Sequence, residues 1–338
     1  MTDTSDGPKI GISISNFDDS TLRRVRQLGI TTVHSSGGIP SPNTNFGLDK
    51  HLPWTEKSLR SEILALNSHG MRMGARMITG FPNTIYGRPG RDEEIEAVIQ
   101  SVKVAAILGI PVIEYNWYAH RATEGYYLEE GRGGAKYRAF DYQMVEGLPP
   151  LPEEGAHTAS AMWDNITYFL EAVIPVASEN GVRFALHPND PPVPISRGSE
   201  QIMGSVAGWK NLVNIIDSPS NGITFDCGVT RELGEDPVET ARYFGEIDRI
   251  NHVHWRNVIT QIPGQKYTEV FLDEGQVDMQ AVMEELVRQS YPRMVYPEHP
   301  PIIDHDEEFK PKQSSEGYAG LAYTVGYARA SLKAALRA

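Results

Sequence analysis

The chain has 338 residues, of which 40% are hydrophobic and 22% charged, and its formal net charge is −13. A surface this acidic repels nucleic acid and anionic membranes, so we expect neither as a partner. The single cysteine, Cys227, excludes an internal disulfide framework and is typical of a reducing compartment. The N-terminus lacks the pattern of a signal peptide, and no apolar run approaches the roughly 20 residues of a membrane span. We therefore expect a cytoplasmic protein with one domain over residues 1–338.

The chain alternates between short β-rich runs and longer helical patterns. Strands are predicted at Lys9–Ser15, Thr31–Ser36, Arg72–Ile78, Pro111–Trp117, Val182–Pro188, Gly222–Gly228, Arg249–Asn257 and Met294–His299. Helices are predicted at Ser20–Leu28, Thr55–His69, Asp92–Leu108, Trp163–Asn180, Ser205–Ile216, Pro237–Phe244 and Met279–Gln289. Glycines directly after several of these helical patterns are a common way for a helix to end.

Eight strands that alternate with helices predict a parallel sheet, and eight is the number that closes a (β/α)8 barrel. An open doubly wound sheet is the competing fold. It would place a glycine-rich nucleotide fingerprint after the first strand, and the sequence there, ISISNFDDS, contains none. Two long irregular stretches, Tyr118–Met162 and Pro300–Gly317, follow the fourth and eighth strands. We expect both at the carboxyl face of the barrel, covering a functional site.

The stretch FALHPNDPP, residues 184–192, ends a predicted strand on a histidine and follows it with prolines. Because side chains alternate between the two faces of a strand, the apolar positions mark the outward face and the polar positions the inward face. Each of the last four strands then ends on an inward-facing polar side chain, namely His187, Asp226, His254 and Glu298. The same alternation turns four further polar side chains inward, namely His34, Arg76, Glu114 and Asn116.

Two imidazoles and two carboxylates at adjacent strand ends favour one bound divalent metal ion. Mn²⁺ and Fe²⁺ suit this mixture best, and Co²⁺, Zn²⁺ and Mg²⁺ are also compatible with it. The alternative is a purely structural polar network, since a single buried histidine is more often a hydrogen-bonded core residue than a ligand. Buried carboxylates without partners cost several kcal/mol, which favours the metal site for the group as a whole.

Six segments, in order along the chain, resemble motifs of the mannonate dehydratase family: ALHPNDPP, DSPSNGITF, HVHWRN, GQVDM, PEH and GYAG. The stretch WDNITYFLEAVIPVASENGVRFALHPNDPP is especially similar. The resemblance covers most of the chain from the fourth strand onward, and SGGIP after the second strand is the clearest match before that point.

The resemblance implies a metal-dependent (β/α)8 barrel of the xylose-isomerase-like type that dehydrates D-mannonate to 2-dehydro-3-deoxy-D-gluconate. It places the family's metal ligands on His187, on the segment 226–228, on His254 and on Glu298. By the same resemblance, His299 and Tyr318 form the proton-transfer pair. The implied partner is a small sugar acid, and the sequence leaves open whether the protein forms a homo-oligomer.

The chain departs from the family pattern at some of these positions. Aligned without gaps, the family's cysteine ligand falls on Asp226, and a slip of one residue would make Cys227 the ligand instead. Alternation opposes the slip, because Cys227 shares the outward face with Phe225. Glu298 and Pro300 stand where the family has Asp and Gly. The metal chemistry is expected to survive these changes.

The segments that would contact the far end of a substrate also differ, since ISRGSEQ replaces the family's Gly-Leu-Pro-Arg segment. A modest change of this kind can move the preference of an enzyme between related sugars, so the preferred sugar acid stays open. The predicted substrate-binding residues are Arg256, Asn257, Asn116 and Arg76. Arg256 could hold the substrate carboxylate as a fork, or it could form a salt bridge to an acid at the rim.

Three classes of function fit these features. A hydro-lyase that removes water from a sugar acid is the first. A sugar isomerase, an epimerase or a related eliminase on the same barrel is the second, because fold and metal do not determine the reaction. A non-catalytic sugar-binding module is the third, and it would not need a proton-transfer pair beside a metal.

Overall fold

A computed structural model describes residues 7–35, 52–118, 124–308 and 317–338. Its strands are β1 Lys9–Ser13, β2 Thr32–Ser35, β3 Arg72–Ile78, β4 Val112–Tyr115, β5 Tyr126–Glu130, β6 Lys136–Asp141, β7 Arg183–Leu186, β8 Ile195–Ser196, β9 Ser199–Glu200, β10 Asn221–Asp226, β11 Ile250–His254, β12 Asn257–Ile262, β13 Lys266–Val270 and β14 Met294–Tyr296. Its helices are α1 Asp19–Gln27, α2 Glu56–Ser68, α3 Pro82–Tyr86, α4 Arg91–Ile107, α5 Ala159–Glu179, α6 Val206–Ile215, α7 Cys227–Glu232, α8 Pro237–Glu246, α9 Met279–Arg288, α10 Asp304–Glu308 and α11 Tyr318–Ala335. The SGGIP segment, residues 36–40, lies outside the described residues.

Eight parallel strands close into a barrel in the order β1-β14-β11-β10-β7-β4-β3-β2. The eight predicted strands are confirmed, with ends that agree to within a few residues. The predicted helices are confirmed as α1, α2, α4, α5, α6, α8 and α9, whereas α3, α7, α10 and α11 were not predicted. The fold is therefore the predicted (β/α)8 barrel.

Most of the long helices begin where a side-chain oxygen accepts a backbone N–H of the first turn, which satisfies a donor that the helix itself leaves unpaired. The residues that do this are Asp18, Thr55, Thr158, Ser205, Asp236 and Asp278. The main apolar core lies between these helices and the outward faces of the strands, where Phe184, Phe225 and Val253 are fully buried.

The amino-end floor of the barrel is packed so closely that Gly11 has no room for a side chain. A Cβ atom at this position would lie 2.6 Å from the Thr32 carbonyl oxygen and would also meet the Met294 sulfur. We expect Gly11→Ala to lower the free energy of unfolding by about 1–3 kcal/mol, because the backbone must move. Urea unfolding measures the effect. Gly326→Ala on α11 is the matched control, since its added Cβ meets no atom within 4 Å among the described residues outside its own helix backbone. A loss of stability there as large as at Gly11 would contradict the packing argument.

A second sheet stands beside the barrel, with four antiparallel strands in the order β12-β13-β6-β5. We call it the roof sheet. Its strands β5 and β6 lie inside the stretch Tyr118–Met162, so the prediction that this stretch is irregular was wrong. The partner strands β12 and β13 follow the seventh barrel strand, β11, and the pairing joins segments more than 100 residues apart. Within the stretch Pro300–Gly317, α10 is described and residues 309–316 lie outside the described residues.

Arg76 faces the helix layer, and the prediction that it points inward was wrong. Between β2 and β3 the register shifts, so that Val33 pairs with Met73 but His34 pairs with Ala75. Gly74 is the extra residue of this bulge, and it reverses the alternation of faces after it. The Arg76 guanidinium therefore contacts Glu62 of the second helix at 2.6 Å.

Candidate metal centre at the barrel mouth

His187, Asp226, His254 and Glu298 meet at the carboxyl end of the barrel, and all four are buried. One ligand atom from each lies within 4.8 Å of those of the others. Nε2 of His187 lies 3.0 Å from Nδ1 of His254 and 3.8 Å from a carboxylate oxygen of Asp226. A carboxylate oxygen of Glu298 lies 3.2 Å from the same Nδ1 of His254. We call these four residues the mouth cluster.

The two imidazoles of the mouth cluster are oriented as cation ligands would be. Nδ1 of His187 lies 2.7 Å from the carbonyl oxygen of Pro188, and Nε2 of His254 lies 3.2 Å from a carboxylate oxygen of Glu114. When the ring protons lie on these outer nitrogens, the two nitrogens that face each other present lone pairs. Facing lone pairs repel unless a proton or a cation lies between them. The donor set therefore fits a divalent ion, with two carboxylates to balance its charge.

The charges of the mouth cluster act differently on its two carboxylates. Burial would lower the pKa of His254, but the carboxylates of Glu298 and Glu114 raise it to about 9. Burial would likewise raise the pKa of Glu298, yet His254 and His299 hold it well below its usual range. Burial raises the pKa of Asp226; the Arg256 guanidinium opposes this rise, and the Glu298 carboxylate adds to it. Glu298 is thus stabilised as a carboxylate by the imidazoles, whereas Asp226 is disfavoured as a carboxylate by burial and by Glu298.

The structure places Asp226, and not Cys227, on the side of the mouth cluster. Asp226 ends β10 and begins α7, where one carboxylate oxygen accepts the backbone N–H of Val229. The other oxygen faces His187. The Cys227 thiol belongs to the main apolar core and donates to the Arg256 carbonyl oxygen at 3.3 Å. Burial raises the pKa of this thiol, which disfavours a thiolate.

A buried polar network lies next to the mouth cluster in the barrel interior. Glu114 accepts a hydrogen bond from the Thr224 hydroxyl at 2.7 Å, and its other oxygen lies 3.0 Å from Nε2 of His34. His34 and Glu114 therefore point inward as predicted. Although burial alone would raise the pKa of Glu114, His254 and His34 hold it well below its usual range. A charged Glu114 fits the role of orienting the His254 ring.

Arg256 is surrounded by carboxylates and has no side-chain nitrogen left for a substrate. Its nitrogens lie 2.6–3.3 Å from carboxylate oxygens of Asp190, Asp226, Glu232, Glu269 and Glu298. The side chain is only 2% exposed. Of the two alternatives for Arg256, the structure therefore favours the salt bridge over the substrate fork.

The two predicted substrate-binding asparagines, Asn257 and Asn116, differ in the hydrogen bonds that their side chains make. The Asn257 side-chain amide is fully hydrogen-bonded to nearby backbone. Its nitrogen donates to the carbonyl oxygens of Leu272 and Val277, and its oxygen accepts the backbone N–H groups of Val258 and Val277. The structure thus does not present Asn257 to a substrate. Asn116 sits at the end of its barrel strand with its side-chain oxygen buried and without a hydrogen-bond partner among the described residues. Asn116 stays a candidate for substrate binding.

His299 lies beside the mouth cluster, whereas Tyr318 does not. The His299 backbone adopts a left-handed conformation, with φ of 48°, and Nε2 of its ring lies 3.6 Å from Glu298. Nδ1 of the same ring lies 3.0 Å from Glu269. Burial would lower the pKa of His299, but these two carboxylates raise it to about 9. The Tyr318 hydroxyl instead donates to the Arg24 carbonyl on the first helix at 3.4 Å.

The roof sheet brings to the mouth a group of residues that were not predicted as site residues. Glu269 on β13 contacts His299, and Arg138 on β6 lies 3.1 Å from Glu269 and 3.2 Å from the His299 ring. Asp190 accepts hydrogen bonds from the hydroxyls of Tyr126 and Tyr267. Asp190 belongs to the HPNDPP motif and could have been found there. No motif marks Glu269 or Arg138 as a site residue. Only a prediction of β6 and β13, the strands on which they lie, could have indicated their position.

Comparison with known proteins resolves the family. The model of the D-mannonate dehydratase (UxuA) family matches residues 156–337. Mannonate dehydratase of Enterococcus faecalis is 36% identical over an alignment of 352 positions, which covers 91% of this chain and 93% of the relative. The chain belongs to the mannonate dehydratase family. Another family member, mannonate dehydratase of Bacillus subtilis, is 30% identical over 281 residues, covering 73% of this chain and 77% of the relative.

Solved structures agree on the fold. The crystal structure of mannonate dehydratase from Streptococcus suis serotype 2 superposes with a TM-score of 0.83 at 23% identity, covering 98% of this chain and 95% of that one. A xylose isomerase domain protein from Planctomyces limnophilus superposes with a TM-score of 0.60 at 15% identity, covering 98% of this chain and 100% of that one. Both superpositions confirm the fold of the barrel. Among the described helices, none has the length and apolar character that crossing a membrane requires.

Proposed function

We propose that the protein is a metal-dependent hydro-lyase that dehydrates D-mannonate to 2-dehydro-3-deoxy-D-gluconate, as its family membership implies. The observation that carries the proposal for the site is the convergence of His187, Asp226, His254 and Glu298 on one point, with two imidazole nitrogens facing each other at 3.0 Å. These four residues would hold the ion. Imidazole mixed with carboxylate favours Mn²⁺ or Fe²⁺ over Mg²⁺, which prefers oxygen ligands alone.

The reaction removes the proton next to the substrate carboxylate and expels the neighbouring hydroxyl group. A bound divalent ion supplies Lewis-acid stabilisation of the enolate-like negative charge, which is worth several kcal/mol. His299, held between Glu269 and Glu298, is the proton-transfer group that lies beside the mouth cluster. A positioned proton-transfer group contributes about 10²–10⁴-fold. The Tyr318 hydroxyl contacts Arg24 on the first helix, so Tyr318 has no part in this proposal.

Steady-state kinetics of the metal-loaded protein on a panel of aldonates and larger oxidised sugars test the proposal. We expect turnover of D-mannonate with loss of one water and formation of a 2-keto-3-deoxy acid. Product analysis separates this outcome from isomerisation or epimerisation, which lose no water. A kcat/KM for D-mannonate near 10⁴ M⁻¹s⁻¹ or above, with all others far below, would give the plain family substrate, whereas a higher value for another aldonate would show a change of preference.

Glu114 gives a separate prediction for metal affinity. Its carboxylate lies 3.2 Å from the His254 nitrogen that points away from the mouth cluster. A carboxylate in this position orients a ligand imidazole and increases its basicity, and losing such a partner costs about 10- to 100-fold in metal affinity. We expect Glu114→Gln to weaken binding of Mn²⁺ by this factor, as measured by competition with a chelating dye. Glu62→Gln alters an acid on α2, in the helix layer, and should leave the affinity for Mn²⁺ unchanged. Equal losses of affinity in both variants would exclude the specific role of Glu114.

A further inference from the structure

The mouth of the barrel is strongly acidic, which poses a problem for an anionic substrate. Asp190, Asp226, Glu232, Glu269 and Glu298 all lie around Arg256. The three guanidinium nitrogens of Arg256 are already within 3.3 Å of these oxygens. Apart from the proposed divalent ion, a cation that binds a sugar acid here through N–H groups must therefore be a residue other than Arg256.

Arg138 is placed to be that cation. It lies on β6 of the roof sheet, and its side chain is 30% exposed, in contrast to the 2% of Arg256. Its polar contacts within the described part of the chain use Nη1 alone, which lies 3.1 Å from Glu269 and 3.2 Å from His299. Nε and Nη2, the edge that binds a carboxylate side-on with two parallel hydrogen bonds, are left for a ligand.

The guanidinium of Arg138 is held in position before any ligand arrives. Its Cζ lies 3.7 Å from the centre of the Tyr126 ring, and the Tyr126 hydroxyl is itself bound to Asp190 and Tyr267. A guanidinium stacked on a ring that is fixed at its far end loses little freedom on binding. Its position also relates it to the reaction, because the His299 ring contacts Arg138 at 3.2 Å and lies 3.6 Å from Glu298 of the mouth cluster.

We propose that Arg138 is the specificity-determining residue that binds the carboxylate of the sugar-acid substrate through Nε and Nη2. This inference rests on the proposed function, since it presumes a sugar acid at the mouth cluster. Arg138 makes the site select an acid over the neutral sugar or polyol of the same shape, and the roof sheet is the element that delivers it.

Three variants and two ligands test the inference. The variants are Arg138→Met, Arg138→Lys and the control Arg132→Met. Arg132 lies in the turn between β5 and β6, where it pairs with Asp273, so the control removes a positive charge from the hairpin that carries Arg138. The ligands are D-mannonate and D-mannitol, its neutral counterpart, used as a competitive inhibitor. Metal content and thermal unfolding are recorded for each protein, so that loss of folding or of metal is detected directly.

We expect Arg138→Met to raise the KM for D-mannonate about 10- to 100-fold, as expected for loss of a charge-assisted hydrogen-bonded pair. The inhibition constant of D-mannitol and the metal content should change by less than about threefold. Arg138→Lys should lie between Arg138→Met and the wild type, because an ammonium keeps the charge but not the fork. Arg132→Met should match the wild type.

The outcomes that overturn the inference differ from those that overturn the proposed function. An Arg138→Met protein with the KM of the wild type, or one whose D-mannitol inhibition weakens in parallel with KM, removes the role of Arg138 and leaves the dehydratase intact. Calorimetric binding of D-mannonate gives a readout that does not depend on turnover. A wild-type protein that neither binds nor converts any aldonate removes the proposed function and this inference together.

Discussion

The His254→Ala variant is expected to lose its bound divalent ion and nearly all dehydratase activity. His254 is the central member of the mouth cluster, because its Nδ1 lies within 3.2 Å of both His187 and Glu298. Removing it deletes one ligand and leaves Glu298 and Glu114 buried without the imidazole between them. Since Lewis-acid stabilisation is worth several kcal/mol, kcat/KM should fall about a thousandfold or more.

Elemental analysis of the metal-loaded protein and kinetics on D-mannonate measure these two losses together. His69→Ala is the matched control, because His69 follows α2 and contacts Asp19 on the outer layer. It should keep both the ion and the activity. A His254→Ala protein that still binds one equivalent of metal with unchanged affinity would show that the mouth cluster is not the metal site.

Asp226→Ala is expected to abolish stoichiometric metal binding, while Cys227→Ser is expected to be nearly silent. The Asp226 carboxylate faces His187 across 3.8 Å, whereas the Cys227 thiol lies in the apolar core. A serine hydroxyl can donate to the Arg256 carbonyl as the thiol does. We expect kcat/KM to fall about a thousandfold or more in the first variant and to change by less than about threefold in the second.

Asp226→Asn separates the ligand role from the structural role. Its amide oxygen can still accept the Val229 N–H at the start of α7, so the helix cap survives while the anionic ligand is lost. This variant should unfold at nearly the wild-type temperature and still fail to retain metal during dialysis. The opposite pattern, with metal lost in Cys227→Ser and kept in both Asp226 variants, would identify the thiolate as the ligand.

The roof sheet shows why part of the site could not be predicted. Its strand pairing joins β6 to β13, segments more than 100 residues apart, and pairing of this kind leaves only a weak trace in either segment. The Gly-rich sequence EGRGG between β5 and β6 is a turn signal that could have revealed the hairpin. Nothing local indicates that β13 pairs with it, or that Glu269 and Arg138 would meet at the mouth.

Single residues show the same limit. One extra residue at Gly74 reversed the faces of β3 and carried Arg76 to the helix layer. Asn257 and Tyr318 have the right residue type and position in sequence for a site, but their polar atoms contact a neighbouring loop and the first helix instead. A register shift between strands, or a hydrogen-bond partner from a distant segment, arises only in the packed structure. The alternation of side chains along one strand cannot predict either of them.

The order and number of the barrel strands, and the inward face of the last four, could be derived from the sequence alone. Those features depend on local periodicity, because apolar residues at alternate positions must face the helices and polar residues then face the axis. This periodicity thereby places His187, Asp226, His254 and Glu298 at one end of the barrel. The charges that surround them depend on tertiary contacts: Arg256 is enclosed by acids, Glu114 lies behind His254, and Arg138 reaches the mouth from a separate sheet. These contacts join distant segments, and their energies depend on distance and burial, which exist only once the chain has folded.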